Sequence, residues 1–158
     1  MSTARWRRPT AVDALEIHEV LARYAHCIDN RDWEQLSRIF TPDVKFGSPG
    51  NYTRSRDDIP GRIEQVSPYH PHYTTNTVIH RLPVDSEGRK RARSWSKYFI
   101  VRHDRSLASG DYLDEWVHTE AGWRILQRRV SRGQRWENDP GGASQRDLGM
   151  GDFLGTAS

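Results

Sequence analysis

The first third of the chain places apolar residues at steps of three and four positions, which is the spacing of an amphipathic helix. The apolar stripe comprises Ile17, Val20, Leu21, Tyr24 and Ile28. Thr10 and Asp13 have the spacing of a capping box, in which the side chains satisfy free main-chain N–H groups at the start of a helix. The pattern therefore predicts a helix that begins near residue 10 and runs to about Asn30.

Two further helices and one short strand are predicted before residue 71. Asp32 is a suitable cap for a second helix, and the Thr-Pro sequence at 41–42 would end it. The predicted buried face of this helix comprises Trp33, Leu36, Ile39 and Phe40. A short strand is predicted at 44–47, and a third helix at 55–66, where the proline falls in the first turn.

After residue 71 the chain becomes rich in β-branched and aromatic residues, which favours strands. The predicted strands cover residues 72–84, 91–103, 111–119 and 122–136. Turn-forming residues separate them, so they are expected to pair as an antiparallel meander. Two or three helices followed by four strands indicate an α+β fold, in which a curved sheet packs one face on the helices and leaves a pocket between the layers.

The length and composition predict a single folded domain. The chain has 158 residues, of which 35% are hydrophobic, and it contains six Trp, six Tyr and four Phe that can form a core. The mean hydropathy is -0.87, and no apolar run approaches the ~20 residues of a membrane span. We expect an arm at 1–9, a domain at 10–136 and a polar tail at 137–158. No secretory signal is visible, which favours a cytoplasmic location.

Charge and cysteine content argue against several classes of function. The net charge is only +3 and the basic residues are spread along the chain, which favours a solvated surface over a nucleic-acid interface. The single cysteine, Cys27, can form neither an intrachain disulfide nor a cluster of thiolate zinc ligands. The motifs that bind phosphate or dinucleotides are absent from the sequence, so no metal or organic cofactor is expected.

Polar residues at the end of the first helix and the start of the first long strand are candidates for acid–base chemistry. Asp29 ends the helix, where the helix dipole favours proton uptake by a carboxylate, although a plain surface residue is the alternative. Strand alternation predicts that His72, Thr74 and Asn76 share one face. If that face lines the pocket, His72 can exchange a proton with a substrate and Asn76 can hydrogen-bond it. A metal site at His70 and His72 is disfavoured, because a third ligand is lacking.

Aromatic and acidic residues elsewhere are candidates for the pocket wall. Tyr24 shares the helix stripe, so its hydroxyl either points into the cavity or belongs to an ordinary core tyrosine. Asp114 alternates with aromatic residues in the third strand, which suits either a pocket wall or an ion pair with an arginine. Trp95 and Trp116 are the leading pair of wall residues. The expected substrate contacts are Asn76, Asp114, Trp116, Trp95, Phe46 and Tyr52.

The segment from Ile17 to Phe46, with its Tyr, Asp, Trp and Phe-Thr-Pro-Asp landmarks, resembles the SnoaL-like branch of the nuclear transport factor two-like superfamily. The resemblance continues at 72–79, 110–116 and 122–130. It implies a cone-shaped, cystatin-like α+β barrel, the fold of ketosteroid isomerase, scytalone dehydratase, bile acid 7α-dehydratase and small polyketide cyclases. It also implies a homodimer or homotrimer. The superfamily contains both enzymes and binding domains, so the fold does not identify the activity.

In the dehydratase-like members of this superfamily, Tyr, Asp and His residues at the positions of Tyr24, Asp29 and His72 form the acid–base site. The resemblance implies that His72 removes a proton next to a carbonyl, that Asp29 orients the imidazole, and that Tyr24 polarises the carbonyl or assists departure of a hydroxyl. The expected function is a cofactor-independent lyase or isomerase acting on a small hydrophobic ring or polyketide-like substrate. The alternatives are a polyketide cyclase that uses Asp114 and a non-catalytic ligand-binding dimer. Neither a nucleic acid nor a membrane is an expected partner.

Overall fold

The computed structural model describes residues 5–66, 70–132 and 148–156. Among them, six strands form one sheet with the order β2-β1-β6-β5-β4-β3. The elements are helix α1 (Ala11–Asn30), strands β1 (Phe40–Ser48) and β2 (Asn51–Thr53), helix α2 (Ile59–Val66), strands β3 (His72–Leu82), β4 (Arg91–Val101), β5 (Leu107–Thr119) and β6 (Gly122–Arg132), and helix α3 (Met150–Leu154). Short 3-10 helices lie at Trp33–Arg38 and Arg56–Asp58.

Helix α1 follows the sequence prediction closely. The Thr10 hydroxyl accepts a hydrogen bond from the Asp13 main-chain N–H at 3.1 Å, so Thr10 caps the helix as its spacing predicts. All five residues of the predicted apolar stripe are buried against the sheet. The helix ends at Asn30, because Arg31 adopts the left-handed conformation with φ 56°.

The sheet curves around α1 and shows the predicted α+β architecture. Strands β3 to β6 pair antiparallel, β1 pairs parallel with β6, and β2 pairs antiparallel with β1. The register shifts between Thr75 and Val78 in β3 and between Glu115 and Trp116 in β5, and such bulges bend a strand. The inner face of the sheet packs on α1 to form the main core. Within the described ranges, no helix is both long enough and apolar enough to cross a bilayer.

Several predicted element boundaries are wrong. The predicted second helix is a 3-10 helix that ends at Arg38, and β1 begins at Phe40 rather than at residue 44. The main-chain oxygen of Ile39 already accepts from the Ile125 N–H at 2.8 Å, so pairing with β6 replaces helical hydrogen bonds at this apolar pair. Strand β5 begins at Leu107 rather than 111, because a tight turn closes between Arg102 and Ser106. Residues 133–136, which were predicted to extend β6, lie outside the described residues.

Both ends of the described chain pack on the outer face of the sheet. A second apolar cluster comprises Leu113, Leu148 and Phe153, with Val78, Trp95 and Leu154 against it. The Trp6 ring meets the Phe153 ring edge to face at 5.6 Å, and the Trp6 indole N–H donates to the Ile79 main-chain oxygen at 2.7 Å. Part of the predicted arm and part of the predicted tail are therefore packed on the domain, while residues 137–147 of the tail lie outside the described ranges.

Candidate functional site

Asp29 and His72 are in direct contact where the last turn of α1 meets the start of β3. The ring atom Nδ1 of His72 lies 2.6 Å from Oδ1 of Asp29. The main-chain N–H of His72 donates to Oδ2 of the same carboxylate at 2.9 Å. This second bond is possible because β3 is the edge strand of the sheet and His72 is its first residue. The His72 side chain is 11% exposed and the Asp29 side chain 25% exposed.

The two contacts fix both the orientation and the tautomer of the His72 ring. A carboxylate accepts hydrogen bonds, so the proton of the neutral imidazole lies on Nδ1 and the lone pair on Nε2 is left as the base. When Nε2 takes a proton, the adjacent Asp29 carboxylate stabilises the resulting imidazolium. The pair therefore has the geometry required for general acid–base catalysis.

A buried arginine, Arg128 of β6, lies on the inner face of the same sheet. Its guanidinium binds Asp114 through two hydrogen bonds, from Nε to Oδ1 and from Nη2 to Oδ2, each 2.7 Å long. Both side chains are 0% exposed. The guanidinium carbon lies 4.0 Å from the Tyr24 ring centre and 4.1 Å from the Tyr112 ring centre. The remaining nitrogen, Nη1, is a buried cationic donor without a hydrogen-bond partner among the described residues.

The surroundings of Arg128 and Tyr24 keep both groups protonated. Burial lowers the pKa of Arg128, but the Asp114 carboxylate more than reverses this effect, so the guanidinium remains charged. Burial raises the pKa of Tyr24, and the positive charge of Arg128 only partly opposes it. Tyr24 is therefore a neutral phenol that can donate a hydrogen bond.

The sequence analysis did not identify Arg128 as an inward-facing residue because of the bulge between β5 and β6. Trp123 and Ile125 face inward, so strict alternation would place Arg129 inward and Arg128 outward. The register shift makes Leu126 an extra residue and turns Arg128 to the inner face, opposite Asp114. The sequence analysis had already offered an ion pair with an arginine as one interpretation of Asp114. That interpretation was the available signal for an inward-facing arginine.

Of the predicted substrate contacts Phe46 and Asn76, only Phe46 faces the inner side of the sheet. Phe46 is buried, and its ring centre lies 6.5 Å from that of Tyr24. Asn76 is exposed and does not share the face of His72, which corrects the alternation argument. Its φ of 51° places it in the β3 bulge, and Thr77 takes the inward position and hydrogen-bonds Ser96 at 2.9 Å.

The expected pairing of Trp95 with Trp116 in one cavity wall is contradicted by the sheet. Trp95 lies on the outer face against Phe153, at a ring distance of 6.4 Å. Trp116 lies on the inner face, fully buried, and its indole donates to the Ser94 hydroxyl at 2.8 Å. The two residues lie in adjacent strands but out of register by an odd number of positions, so they face opposite sides.

Tyr52 and Asp114 also occupy positions that differ from those expected. Tyr52 belongs to β2, at the sheet edge opposite β3, and its ring lies under the Lys45 ammonium at 4.3 Å. Both carboxylate oxygens of Asp114 are occupied by Arg128, so Asp114 presents no free oxygen to a substrate. Its contribution to the site is to hold Arg128 in place.

Other reactive groups and clefts lie apart from the pair. Cys27 is buried, and burial raises the pKa of its thiol to about 11, which disfavours a nucleophilic role.

Clefts of about 340 Å³ and 310 Å³ lie beside Trp33 and beside Arg7, and neither includes Asp29 or His72. The Asp29–His72 pair therefore lies outside both of these clefts. The described ranges contain no group of three or more His, Cys, Asp or Glu side chains placed to hold a metal ion.

Comparisons with known proteins agree with the resemblance seen in the sequence. A family model described as a SnoaL-like domain matches residues 9–129. An uncharacterized protein of Mycobacterium tuberculosis is 30% identical over 121 residues, which are 73% of this chain and 82% of that protein.

Solved structures show the same fold. A Nostoc punctiforme protein of unknown function with a cystatin-like fold has a TM-score of 0.68 and 18% identity, over 80% of this chain and 95% of that one. A Novosphingobium aromaticivorans protein named as a candidate scytalone dehydratase has a TM-score of 0.62 and 19% identity, over 87% and 94%. The predicted cystatin-like α+β fold is thereby confirmed.

Proposed function

The chain belongs to the SnoaL-like domain family, and we propose that it is a cofactor-independent lyase or isomerase in which His72 is the catalytic base. The observation that carries this proposal is the double contact between Asp29 and His72, at 2.6 Å to the ring and 2.9 Å to the main chain. An aspartate whose only role was to end α1 would not be expected to bind both the ring and the main-chain N–H of a histidine.

The first step is removal of a proton from a carbon next to a carbonyl group. The C–H electron pair forms a new C=C bond, the carbonyl π electrons move to oxygen, and the proton goes to Nε2 of His72. Asp29 stabilises the imidazolium. Tyr24 and Arg128 lie on the inner side of the sheet and supply donors for the developing negative oxygen: the Tyr24 hydroxyl and the unpaired Nη1 of Arg128.

The second step decides between elimination and isomerisation. In elimination, the enolate re-forms the carbonyl, the bond to a β-hydroxyl breaks, and the imidazolium proton leaves with that hydroxyl as water. In isomerisation, the imidazolium returns the proton to a different carbon. We favour elimination, since one neighbour of the same fold is named as a candidate scytalone dehydratase. Both routes balance without an external oxidant or reductant.

A cyclase that uses Asp114 as its base is less well supported. Both oxygens of that carboxylate accept hydrogen bonds from Arg128, and the side chain is 0% exposed. To act as a base, Asp114 would first have to break a buried ion pair, which is costly.

The test is turnover of a panel of cyclic β-hydroxyketones, followed by the absorbance of the enone product. We expect Asp29→Asn and His72→Gln each to lower kcat/KM by ~10²–10⁴. His18→Gln changes an exposed histidine of α1 and serves as the matched control, with no loss expected. The proposal fails if both site variants stay within twofold of the wild type on a compound that the wild type converts.

A further inference from the structure

A cleft of about 310 Å³ lies beside the first turn of α1, where the N-terminal arm passes the end of β3 and the start of β4. Asp13 of α1 lines this cleft, whereas Asp29 lies near the other end of the same helix. At a rise of ~1.5 Å per residue, the helix separates the two aspartates by ~24 Å. The cleft is therefore a different site from the Asp29–His72 pair.

Two arginines in the wall of the cleft are held side by side by the main chain. The Arg81 N–H donates to the Arg7 main-chain oxygen at 2.7 Å, so the arm runs along the edge strand β3 at this point. Both side chains line the cleft, and both residues are exposed. Within the described ranges, neither guanidinium forms an ion pair or a side-chain hydrogen bond. Like charges on neighbouring chains repel each other, so an anion between the two would relieve the repulsion.

The other charged groups of the cleft already have partners. Asp13 accepts hydrogen bonds from the Lys90 ammonium at 3.0 Å and from the Trp123 indole at 3.1 Å. Burial raises the pKa of Asp13, but its donors more than reverse this effect, so the carboxylate is charged and balances Lys90. Nη2 of Arg91 lies 3.4 Å from Oε2 of Glu115. The charges left without a counter-ion in this part of the described structure are those of the two arginines above.

Most of the remaining wall of the cleft is apolar. Trp123 and Ala92 line it although they are only 2% and 1% exposed, so they form its inner surface. Leu82, Pro83 and Val84 line it as well, and Val84 is 61% exposed. Covering such a side chain with apolar ligand atoms is favourable. The volume lies at the lower end of the range for small-molecule sites, which suits a body of one or two rings.

We propose that this cleft binds a small apolar carboxylate, with the carboxylate between Arg7 and Arg81 and a one- or two-ring body against Val84 and Trp123. A guanidinium matches a carboxylate because its planar N–H groups can donate two parallel hydrogen bonds to the two oxygens. The inference does not rest on the proposed function, since the cleft shares no residue with the Asp29–His72 pair.

The test is calorimetric binding of 2-naphthoate, with 2-naphthalenemethanol as the neutral probe of the same ring system. At low ionic strength we expect the wild type to bind the carboxylate about tenfold more tightly than the alcohol. Salt at about 0.5 M should remove most of this preference, because the two arginines are exposed. Inorganic phosphate alone should bind more weakly than 2-naphthoate, because it makes no apolar contact.

Charge-removing variants locate the carboxylate. Arg7→Gln and Arg81→Gln should each lower 2-naphthoate affinity about threefold and leave the alcohol unaffected, and the double variant should remove most of the preference. The hydrogen bond between the two residues uses main-chain atoms, so neither substitution should lower the Tm. Arg54→Gln removes an exposed arginine that follows β2 and is the matched control, with no change in either affinity expected.

A second pair of variants tests the apolar wall. Val84→Ser should weaken the binding of both probes by a similar factor, about threefold, because it removes apolar contact without changing charge. Leu107→Ser, at a position of β5 that is 51% exposed, is the matched control and should leave both affinities unchanged.

The inference is overturned if the wild type binds neither probe at about 1 mM, or binds both equally at low ionic strength. Phosphate binding as tight as that of 2-naphthoate would contradict the apolar contact, and an equal loss in Arg54→Gln and Arg81→Gln would contradict the location. Loss of 2-naphthoate binding in His72→Gln, with full binding in the double arginine variant, would place the ligand at the Asp29–His72 pair instead.

Discussion

At the scale of single residues, the Arg128–Asp114 ion pair affects both the stability of the fold and the charge on the inner face of the sheet. The two side chains are fully buried, and their two hydrogen bonds of 2.7 Å use both oxygens of the carboxylate but leave Nη1 of the guanidinium unpaired. An ion pair of this kind gains little net stability, because both charges lose their hydration. Its position on the inner face fits a role in presenting a fixed positive charge.

Removal of one partner should therefore destabilise the protein strongly. Asp114→Ala leaves the Arg128 charge buried without its counter-ion, and we expect the free energy of unfolding in urea to fall by about 3–5 kcal/mol. The double variant Asp114→Leu/Arg128→Met removes both charges and should recover most of that loss. A loss below about 1 kcal/mol in Asp114→Ala would show that Arg128 reaches water when unpaired.

At the scale of elements, the edge strand β3 is closed by the two ends of the chain. The Arg81 N–H donates to the Arg7 main-chain oxygen at 2.7 Å, and the Arg7 N–H donates to Nδ1 of His80 at 3.0 Å. The His80 ring also meets the Phe153 ring of α3 at 5.8 Å. His80 thus joins the arm, the strand and the last helix, and it can accept from Arg7 only while Nδ1 is unprotonated.

This arrangement predicts a specific loss of stability in acid. Burial lowers the pKa of His80 below its usual 6.5, the positive charges of Arg93 and Arg7 lower it further, and protonation of Nδ1 would also remove the hydrogen bond that it accepts from Arg7. The unfolded state therefore binds a proton more readily than the folded state, so stability falls as the pH drops below about 6.5.

The measurement is urea unfolding of the wild type and His80→Gln between pH 7.5 and pH 5. We expect the wild type to lose more stability than the variant over this range, because the variant has no titrating group at this position. Parallel curves would mean that the contacts of His80 with Arg7 and Phe153 persist after protonation.

The elements also show how far the sequence could predict the site. Periodicity predicted α1, its cap and the start of β3. The contact between Asp29 and His72 was expected only from the family resemblance, and the structure contains it. Alternation failed where the sheet bulges, because one extra residue reverses every later side chain. That reversal turned Arg128 inward and carried Asn76 outward. Neither bulge has a local sequence signal of the kind that a helix cap provides.

At the scale of the whole molecule, the sheet separates two apolar layers with different contents. The inner layer contains α1 and the residues of the proposed site, and its core includes Tyr24, Phe46 and Trp116. The outer layer is built around Leu113 and Phe153 and contains both described ends of the chain. We therefore expect the outer layer to contribute to stability without setting the geometry of the Asp29–His72 pair.

Phe153→Ala tests this separation. Phe153 is 0% exposed and meets the rings of Trp6, His80 and Trp95, so its truncation should lower the free energy of unfolding by roughly 3 kcal/mol. The hydrogen bond between Asp29 and His72 lies on the other side of the sheet, and its downfield proton resonance should persist at the wild-type position at temperatures where the variant is folded. Met150→Ala, at a position of the same helix that is 51% exposed, is the control and should cost little. A shifted or missing resonance in folded Phe153→Ala would mean that the described chain ends position the Asp29–His72 pair through the sheet, and the outer layer would then belong to the proposed site.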